Sequence, residues 1–436
     1  MSKSHQEAAV PPESRTSIVK VVGASLVGTT VEWYDFFLYG SAAALVFNKL
    51  FFPDFDPLVG TLLAFATYAV GFAARPIGGV IFGHFGDKVG RKKMLVITLM
   101  MMGGATFLIG LLPTYEQIGP WAAVLLVLLR VAQGFGVGGE WGGAVLMAVE
   151  HAPPGRRGYY GSWPQIGVPA GLLLSTGVFT YFSSMPDETF LAWGWRVPFL
   201  LSALLIVVGL IIRVRLYETP AFEKVKQEAR GKRQPIVEVL MRYPREVILA
   251  IGARFAENGA FYIYSAFVLT YATQHAKLER QMVLNGILLA STIELAAIPF
   301  FGALSDRVGR RPIYLFGAAM TVAWAYPFFA LIDTGMQNYV WLALVVAFVL
   351  SHAAMYGPQG AFLSELFGAN VRYSGASLGA QLAGVVAGGP APLIATWMLA
   401  ETAAPRMWLS IYVAVMGVIT LTAVYIASET RHRDIS

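Results

Sequence analysis

The segment GHFGDKVGRKK (Gly83 to Lys93) returns as GALSDRVGRR (Gly302 to Arg311), 219 positions later (302 − 83). At that offset Asp87 maps onto Asp306, Gly90 onto Gly309 and Arg91 onto Arg310. Each copy is a short charged loop between two long apolar stretches. Only 13% of the 436 residues are charged and 56% are hydrophobic, against roughly 25% charged in a soluble domain. The apolar runs repeatedly exceed the ~18–20 residues that cross a bilayer. A chain of this kind is a polytopic α-helical membrane protein. A repeat of half its length places two homologous bundles around a central site, which is the plan of a secondary transporter.

Twelve spans are expected near 18–47, 58–82, 94–112, 119–150, 158–182, 192–215, 246–272, 281–303, 312–332, 339–365, 374–399 and 405–427. Alternate loops then carry Lys3, Arg15 and Lys20, then Lys88 to Lys93, Arg156 and Arg157. The same set continues with the basic residues of 213–245, then Arg307 to Arg311, Arg372, Arg431 and Arg433. The other set holds only Lys49, Arg196, Lys277, Arg280 and Arg406. The positive-inside rule therefore puts both termini in the cytoplasm. The division expected is a tail at 1–17, a six-helix bundle at 18–215, a linker at 216–245, a second bundle at 246–427 and a tail at 428–436. The linker reads either as two short amphipathic helices on the membrane surface or as a solvated basic connection. The chain's amino-terminal stretch, MSKSHQEAAVPPESRTS, has no apolar core with a cleavage site, so the first span is expected to target the chain.

Charges at the mouth of each half form matching sets. Glu150 precedes Arg157 by seven residues, as Glu365 precedes Arg372. With Asp87, Arg91, Asp306 and Arg310 they supply carboxylates and guanidiniums able to pair as helices move, hence a candidate cytoplasmic gate. The plain alternative is that they are topogenic charges and helix caps.

An ionisable group at a helix centre costs roughly 2.5–3.5 kcal/mol on insertion scales, so each one faces a cavity or a partner. These are Glu32, Asp35, Arg75, Arg130 and Glu140 in the first half, and Arg254, Glu257, Glu294 and His352 in the second. Glu32 and Asp35 share a helix face. Mutual repulsion and burial suit one of them to exchange a proton, with Asp35 foremost and Glu140 and Glu257 behind. The rival role for Asp35 is a permanent pair with Arg130 or Arg75. Arg75 lies twelve residues before Asp87 and Glu294 twelve before Asp306, roughly 18 Å along a helix and near mid-membrane. Arg75 is a candidate to hold a substrate carboxylate, or else pairs with Asp35 or Glu32. Arg130, Gln133, Val137 and Glu140 share a face of the fourth span. Arg254, Glu257, Asn258 and Tyr262 stripe the seventh, and His352, Tyr356 and Gln359 the tenth. A lone histidine there is equally a satisfied core residue.

There is no cysteine, which excludes thiolate metal sites, disulfides and thiol redox chemistry. The letters GxGxxG at Gly134, Gly136 and Gly139 follow no strand and read as close helix packing rather than a phosphate cradle. No metal spacing, serine elbow or nucleotide-binding domain is present. No enzyme activity, metal or cofactor is expected, nor any nucleic-acid partner, since the basic residues lie in loops.

The segments EWYDFFLYG (Glu32 to Gly40), FAARPIGGVIFGHFGDKVGRKK (Phe72 to Lys93), RVAQGFGVGGEWGGA (Arg130 to Ala144), WGWRVPFL (Trp193 to Leu200) and ELFGANVRYSGASLG (Glu365 to Gly379) resemble the metabolite:proton symporter family of the major facilitator superfamily. The resemblance runs from about Val19 to Ser428. It implies an all-α fold of twelve transmembrane helices in two pseudo-symmetric six-helix bundles. It also implies proton-coupled symport of a small organic acid by alternating access in the inner membrane, with the lipid bilayer and protons as partners and the monomer as working unit. The alternatives are uptake of a zwitterion such as proline or betaine, or facilitated diffusion. In that family the osmolyte transporter continues into a C-terminal coiled coil, whereas this sequence reads ASETRHRDIS after the last span, so osmosensing is not expected. The helix-5 region WPQIGVPAG (Trp163 to Gly171) departs from the GPxxGG pattern of drug antiporters.

Overall fold

The structure, a computed structural model, describes residues 12–89, 91–137, 145, 148–150, 152–153, 155–216, 235–367 and 372–433. These residues form helices joined by short turns, with no strand among them. In chain order the long helices are α1 (12–50), α2 (Pro57–Val89), α3 (Arg91–Leu111), α4 (Trp121–Val137, helical again at 148–150) and α5 (Arg157–Ser183). Next come α6 (187–216), α7 (244–275), α8 (Arg280–Val308), α9 (Arg310–Asp333), α10 (Gln337–Leu366), α11 (372–401) and α12 (Pro405–Ile426). Eight of them have the length and mean hydropathy to cross a membrane, and α3 and α4 hold shorter apolar stretches. The remaining two, α1 and α7, are those carrying Glu32 and Asp35, and Arg254, Glu257 and Asn258. Polarity there lowers hydropathy exactly where a helix faces an interior site instead of lipid.

Several ends differ from the spans expected from hydropathy. α1 is already helical at Pro12, where the described residues begin, inside the stretch assigned to the tail, because nothing apolar is needed to continue a helix beyond the bilayer. α2 and α8 run to Val89 and Val308, through most of the repeated charged loop. Apolar patterning marks where lipid ends, whereas the helix ends only where the backbone is broken. At Gly309 the break is a φ of 118°, a conformation glycine alone adopts without strain.

Buried apolar side chains from Tyr34 to Ala427 form one continuous core spanning both halves. Close contact between α2 and α4 depends on glycine: a Cβ on Gly134 would lie 2.2 Å from the carbonyl oxygen of Gly71, and one on Gly78 2.2 Å from that of Phe135. Small residues let the backbones approach, as in other membrane helix pairs. A short helix, Pro235–Arg242, precedes α7 and buries Val239 while exposing Leu240 and Met241. Residues 217–234 lie outside the described residues.

Candidate functional site

Two buried polar clusters face each other across the interface of the halves. In the first, Asp35, Arg75 and Arg130 are 2%, 7% and 1% exposed. With Glu32, Gln133 and Gly71 they line a cavity of about 10 Å³, room for roughly one water. Neither oxygen of Asp35 has a hydrogen-bond partner among the described residues. Arg130 donates through Nη1 to Gln133 Oε1 at 2.9 Å, and Gln133 donates to Thr106 Oγ1 at 2.7 Å, while Arg130 Nε and Nη2 have no partner among the described residues. Buried polar atoms are nearly always paired, so an unpaired acid beside an under-used guanidinium marks a group kept available for something else. No ion pair joins Asp35 to Arg75 or Arg130 among the described residues.

What holds the two cations is aromatic. The Arg130 guanidinium lies 4.2 Å from the Tyr39 ring centre, 4.7 Å from Tyr68 and 4.8 Å from Phe36. That of Arg75 lies 4.2 Å from Phe72 and 4.4 Å from Phe36. Such contacts are worth about 2 kcal/mol each when desolvated, enough to seat a buried guanidinium without neutralising it. Phe36, Tyr68 and Phe72 in turn pack on Tyr262 of α7 at 5.5, 6.0 and 5.3 Å. The first-half cations therefore sit against the second half.

Gly71 makes room for Arg130, since a Cβ there would lie 2.5 Å from its Nε. Gly71→Ala should displace the guanidinium and cost about 1–3 kcal/mol in overpacking. We expect folded protein with transport reduced about tenfold or more. Gly134→Ala meets backbone instead, and should lower the yield of folded protein. Size-exclusion profiles and uptake by both variants check the contrast.

The second cluster is centred on Glu257, whose Oε2 is well partnered. Glu257 Oε2 accepts from Arg254 Nε at 3.1 Å, Asn258 Nδ2 at 3.0 Å and Gln359 Nε2 at 2.8 Å. Gln359 also donates to the Tyr314 hydroxyl at 3.0 Å. His352 lies between Glu257 and Glu294, and its ring stacks on Phe261 and Tyr356. The carbonyl of Tyr356 accepts from Gln165 of α5 at 3.1 Å. Expected candidates Arg254, Glu257, Asn258, Tyr262, His352, Tyr356 and Gln359 are thus gathered at one level. Glu294, given no role from sequence, belongs with them. The signal that could have placed it was its register with Arg75 in the repeat.

At the end bearing the C-terminus, the halves are joined by charge. Asp306 accepts from the backbone N–H groups of Gly158 and Tyr159, both at 2.8 Å, and from Arg310 Nη1 at 2.6 Å. A Cβ on Gly158 would lie 2.4 Å from the Gly302 carbonyl and from Arg310, so only glycine permits this approach. Arg310 reaches Glu365 at 3.3 Å. The seven-residue sets pair across the halves: Arg372 with Glu150 at 3.2 Å, and Arg157 with Glu365 at 4.0 Å. The side chains of Asp87 and Arg91, and all of Glu140, lie outside the described residues.

The tail joins this network, a contact with no sequence signal of its own. Thr430 donates to Glu365 at 2.8 Å, and Arg157 donates to the Arg433 carbonyl at 3.0 Å. Glu429 caps the start of α9, accepting from the N–H of Arg310 and Arg311 at 3.0 Å. Burial alone would raise its carboxyl pKa, but backbone donors at Arg431, Arg310, Arg311 and Thr430 hold it below the ordinary value. A lowered carboxylate stabilises the fold above the ordinary carboxylate range and stops doing so as pH falls through its lowered value. Glu429→Gln should therefore lower the melting temperature at neutral pH, and the difference from wild type should vanish in strong acid.

At the opposite end, Arg280 pairs with Asp187 at 2.8 Å and Gln281 donates to Ser183 Oγ at 3.0 Å. Gln274 of α7 donates to Thr61 of α2 at 2.9 Å. Both mouths of the interface are bridged around the buried clusters.

Two six-helix bundles, closed at both mouths around interior charges, are the architecture of a membrane carrier. A model of the Major Facilitator Superfamily matches residues 26–392, and the chain belongs to that superfamily. The Shikimate transporter of Escherichia coli (strain K12) is 46% identical over 397 residues, covering 89% of this chain and 90% of that protein. An inner membrane metabolite transport protein of the same organism is 40% identical, covering 99% and 98%. The Proline/betaine transporter of that strain is 35% identical, covering 95% and 84%. A solved structure of a proton:xylose symporter superposes with a TM-score of 0.71 at 17% identity, covering 97% of this chain and 98% of that one, which shows the fold. The protein is a multi-pass membrane transporter of small metabolites, a member of a superfamily of transporters rather than of enzymes.

Proposed function

We propose that this transporter imports a small organic acid together with protons, with Asp35 as coupling acid and Arg75 and Arg130 as the groups that hold the substrate carboxylate. The observation that carries this reading is the buried, unpaired Asp35 carboxylate sharing one small cavity with two guanidiniums. Protonating Asp35 removes a negative charge beside those cations and so favours an anion; releasing the proton favours internal pairing. That is differential binding to two states, the requirement for coupling. Tyr262, Asn258, Tyr356 and Gln359 complete the site from the second half.

Shikimate, the cargo named for the relative that is 46% identical, is the substrate class we favour. Betaine recognition uses an aromatic cage for the substrate cation, but here the Phe36, Tyr68 and Phe72 cage surrounds the protein's own arginines. Proteoliposomes given an inward proton gradient should accumulate labelled shikimate, with excess unlabelled betaine as a poor competitor. Equal entry with and without the gradient would make the protein a facilitator, and betaine accumulation in place of shikimate would make it a zwitterion symporter.

In the same reading the bundles are 18–215 and 246–427, joined by the linker 216–245, with both termini in the cytoplasm of a cell whose inner membrane holds the protein. The monomer suffices, because one chain supplies every charge in both clusters. The charges around Asp306 and Glu365 act as the cytoplasmic gate. Because cysteine is absent, single cysteines report topology without background. A cysteine at position 230 should resist an impermeant maleimide in intact cells and react in inverted vesicles, with position 337 giving the opposite result.

A further inference from the structure

The second cluster contains an element that coupling at Asp35 does not use. Glu294 of α8, His352 of α10 and Glu257 of α7 form a continuous chain, 0%, 2% and 4% exposed. His352 Nδ1 contacts Glu294 Oε1, and its Nε2 lies 3.5 Å from Glu257 Oε1. The ring is clamped between Phe261, stacked at 3.8 Å, and Tyr356, stacked at 4.9 Å. Glu294 Oε2 has no hydrogen-bond partner among the described residues. The imidazole is hydrogen-bonded to Glu294 through Nδ1, while its buried Nε2 has no hydrogen-bond partner among the described residues and stands 3.5 Å from Glu257, so a small approach of α7 and α10 would complete a path for a proton between the two carboxylates.

Charge balance points the same way. The titratable and charged groups facing the cluster, among the described residues, are Arg254, Glu257 and Tyr262 from α7 and Glu294 from α8. Tyr314 comes from α9, and His352 and Tyr356 from α10. With both glutamates ionised, Arg254 neutralises one of them. One further proton, shared by Glu294 and His352, brings the buried cluster to neutrality, and a net charge there is costly.

The backbone beside each member is irregular. α7 contains a π segment at Ile263–Phe267, just past Phe261 and Tyr262. α10 contains one at Ala347–His352 that ends on the histidine itself, and α8 has Pro299 five residues after Glu294. π segments and interior prolines are places where a helix bends and where functional groups concentrate. Phe261 also packs on Phe37 of α1 at 5.9 Å, two residues from Asp35, so the clusters are linked mechanically while remaining separate proton acceptors.

We propose that Glu294, His352 and Glu257 form a second proton-carrying site, in which the imidazole relays one exchangeable proton between the two carboxylates. The step balances without a co-reactant. Protonated Glu294 gives its proton to His352 Nδ1, and His352 gives the proton on Nε2 to Glu257. Glu294 is left ionised, Glu257 neutral, and the ring neutral in its other tautomer. The site deepens the proton-coupled reading and rests on it for its role in transport, but its existence does not depend on Asp35.

Two measurements test it, one free of substrate. Infrared difference spectra of the purified protein, titrated between about pH 5 and 8, should show a carboxyl band and a histidine ring band changing together. Glu294→Gln should remove the carboxyl band and alter the ring band; His352→Gln should remove the ring band and alter the carboxyl band. Glu257→Gln, also near-isosteric, provides a third variant should one of these not fold. A histidine band unaffected by Glu294→Gln, or no band at all in that range, would overturn the site in favour of a fixed structural pair. The second measurement is the proton:shikimate ratio in proteoliposomes, from the membrane potential that stops net flux. The ratio should be two in wild type and one in His352→Gln, and an unchanged ratio would count against the proposal. If wild type does not accumulate shikimate, the proposed substrate fails while the infrared titration still decides the site.

Discussion

Asp35→Asn should bring proton-driven accumulation down to the equilibrium level while shikimate exchange between preloaded vesicles stays within about tenfold of wild type. The expectation follows from where the group sits. A carboxylate 2% exposed, with neither oxygen hydrogen-bonded among the described residues, adds nothing evident to folding that asparagine would remove. Its field acts on Arg75 and Arg130, which share its cavity and depend on aromatic rings instead of a counter-ion. Asparagine mimics the protonated acid permanently. The cations are then always available to an anion, so exchange of one loaded carrier for another survives. Return of the empty carrier, which needs the charge restored, does not. Coupling free energies of this kind are typically about 1–3 kcal/mol, or 5- to 150-fold in affinity, so losing the coupling should be plain in the uphill assay. Arg75→Gln should instead weaken both assays, and Arg75→Lys should recover only part, because a point charge does not reproduce a planar fork or its stacking on Phe36 and Phe72. Full proton-driven accumulation by well-expressed Asp35→Asn protein would remove Asp35 from the mechanism.

The fold was legible in the sequence for a physical reason: lipid demands long apolar helices, and duplicated halves leave duplicated loops. The 219-residue offset paired Asp87 with Asp306 and located the charged mouth before any contact was known. Much of the interior was legible too, because an ionisable residue in an apolar span is costly enough to be informative singly. Arg254, Glu257, His352 and Gln359 do meet. Partners were less legible. The sequence left open a permanent pair of Asp35 with Arg130 or Arg75 as the rival to a coupling role, and in the structure both cations are held by Phe36, Tyr39, Tyr68 and Phe72. Those rings look like ordinary core residues in an apolar sequence, and only the folded geometry turns them toward a guanidinium. Likewise the Glu150/Arg157 and Glu365/Arg372 sets showed acids and bases able to pair without showing which would meet, and the pairs cross between halves. Spacing along one helix end cannot encode which bundle will face it. The tail contacts of Glu429, Thr430 and Arg433 had no periodicity to betray them.

Asp306→Asn should open the mouth at the C-terminal end and leave the opposite end shut. Asp306 caps the first turn of α5 from the other half, taking the N–H of Gly158 and Tyr159 and the guanidinium of Arg310. An anion at a helix N-terminus is favoured by the helix dipole as well as by its hydrogen bonds. Asparagine keeps one acceptor but loses the charge, and hydrogen bonds to charged groups contribute about 1.5–3 kcal/mol each. The contacts to Gly158 and Tyr159 cross between the halves and need the mouth closed, whereas Arg310 lies in the same half as Asp306, so weakening the two crossing bonds by that amount shifts the balance of states by roughly 10- to 100-fold. Ala361 of α10 is fully buried beside Val145 and Val149 behind this mouth. A cysteine there should react with maleimide about 10- to 100-fold faster in the Asp306→Asn background. Ala272 of α7, buried toward the other end, provides the control. A cysteine at that position should stay protected, because opening one mouth by alternating access closes the other. Faster reaction at both positions would mean a loosened fold, and no change at either would reduce the Asp306 contacts to helix caps without a gating role.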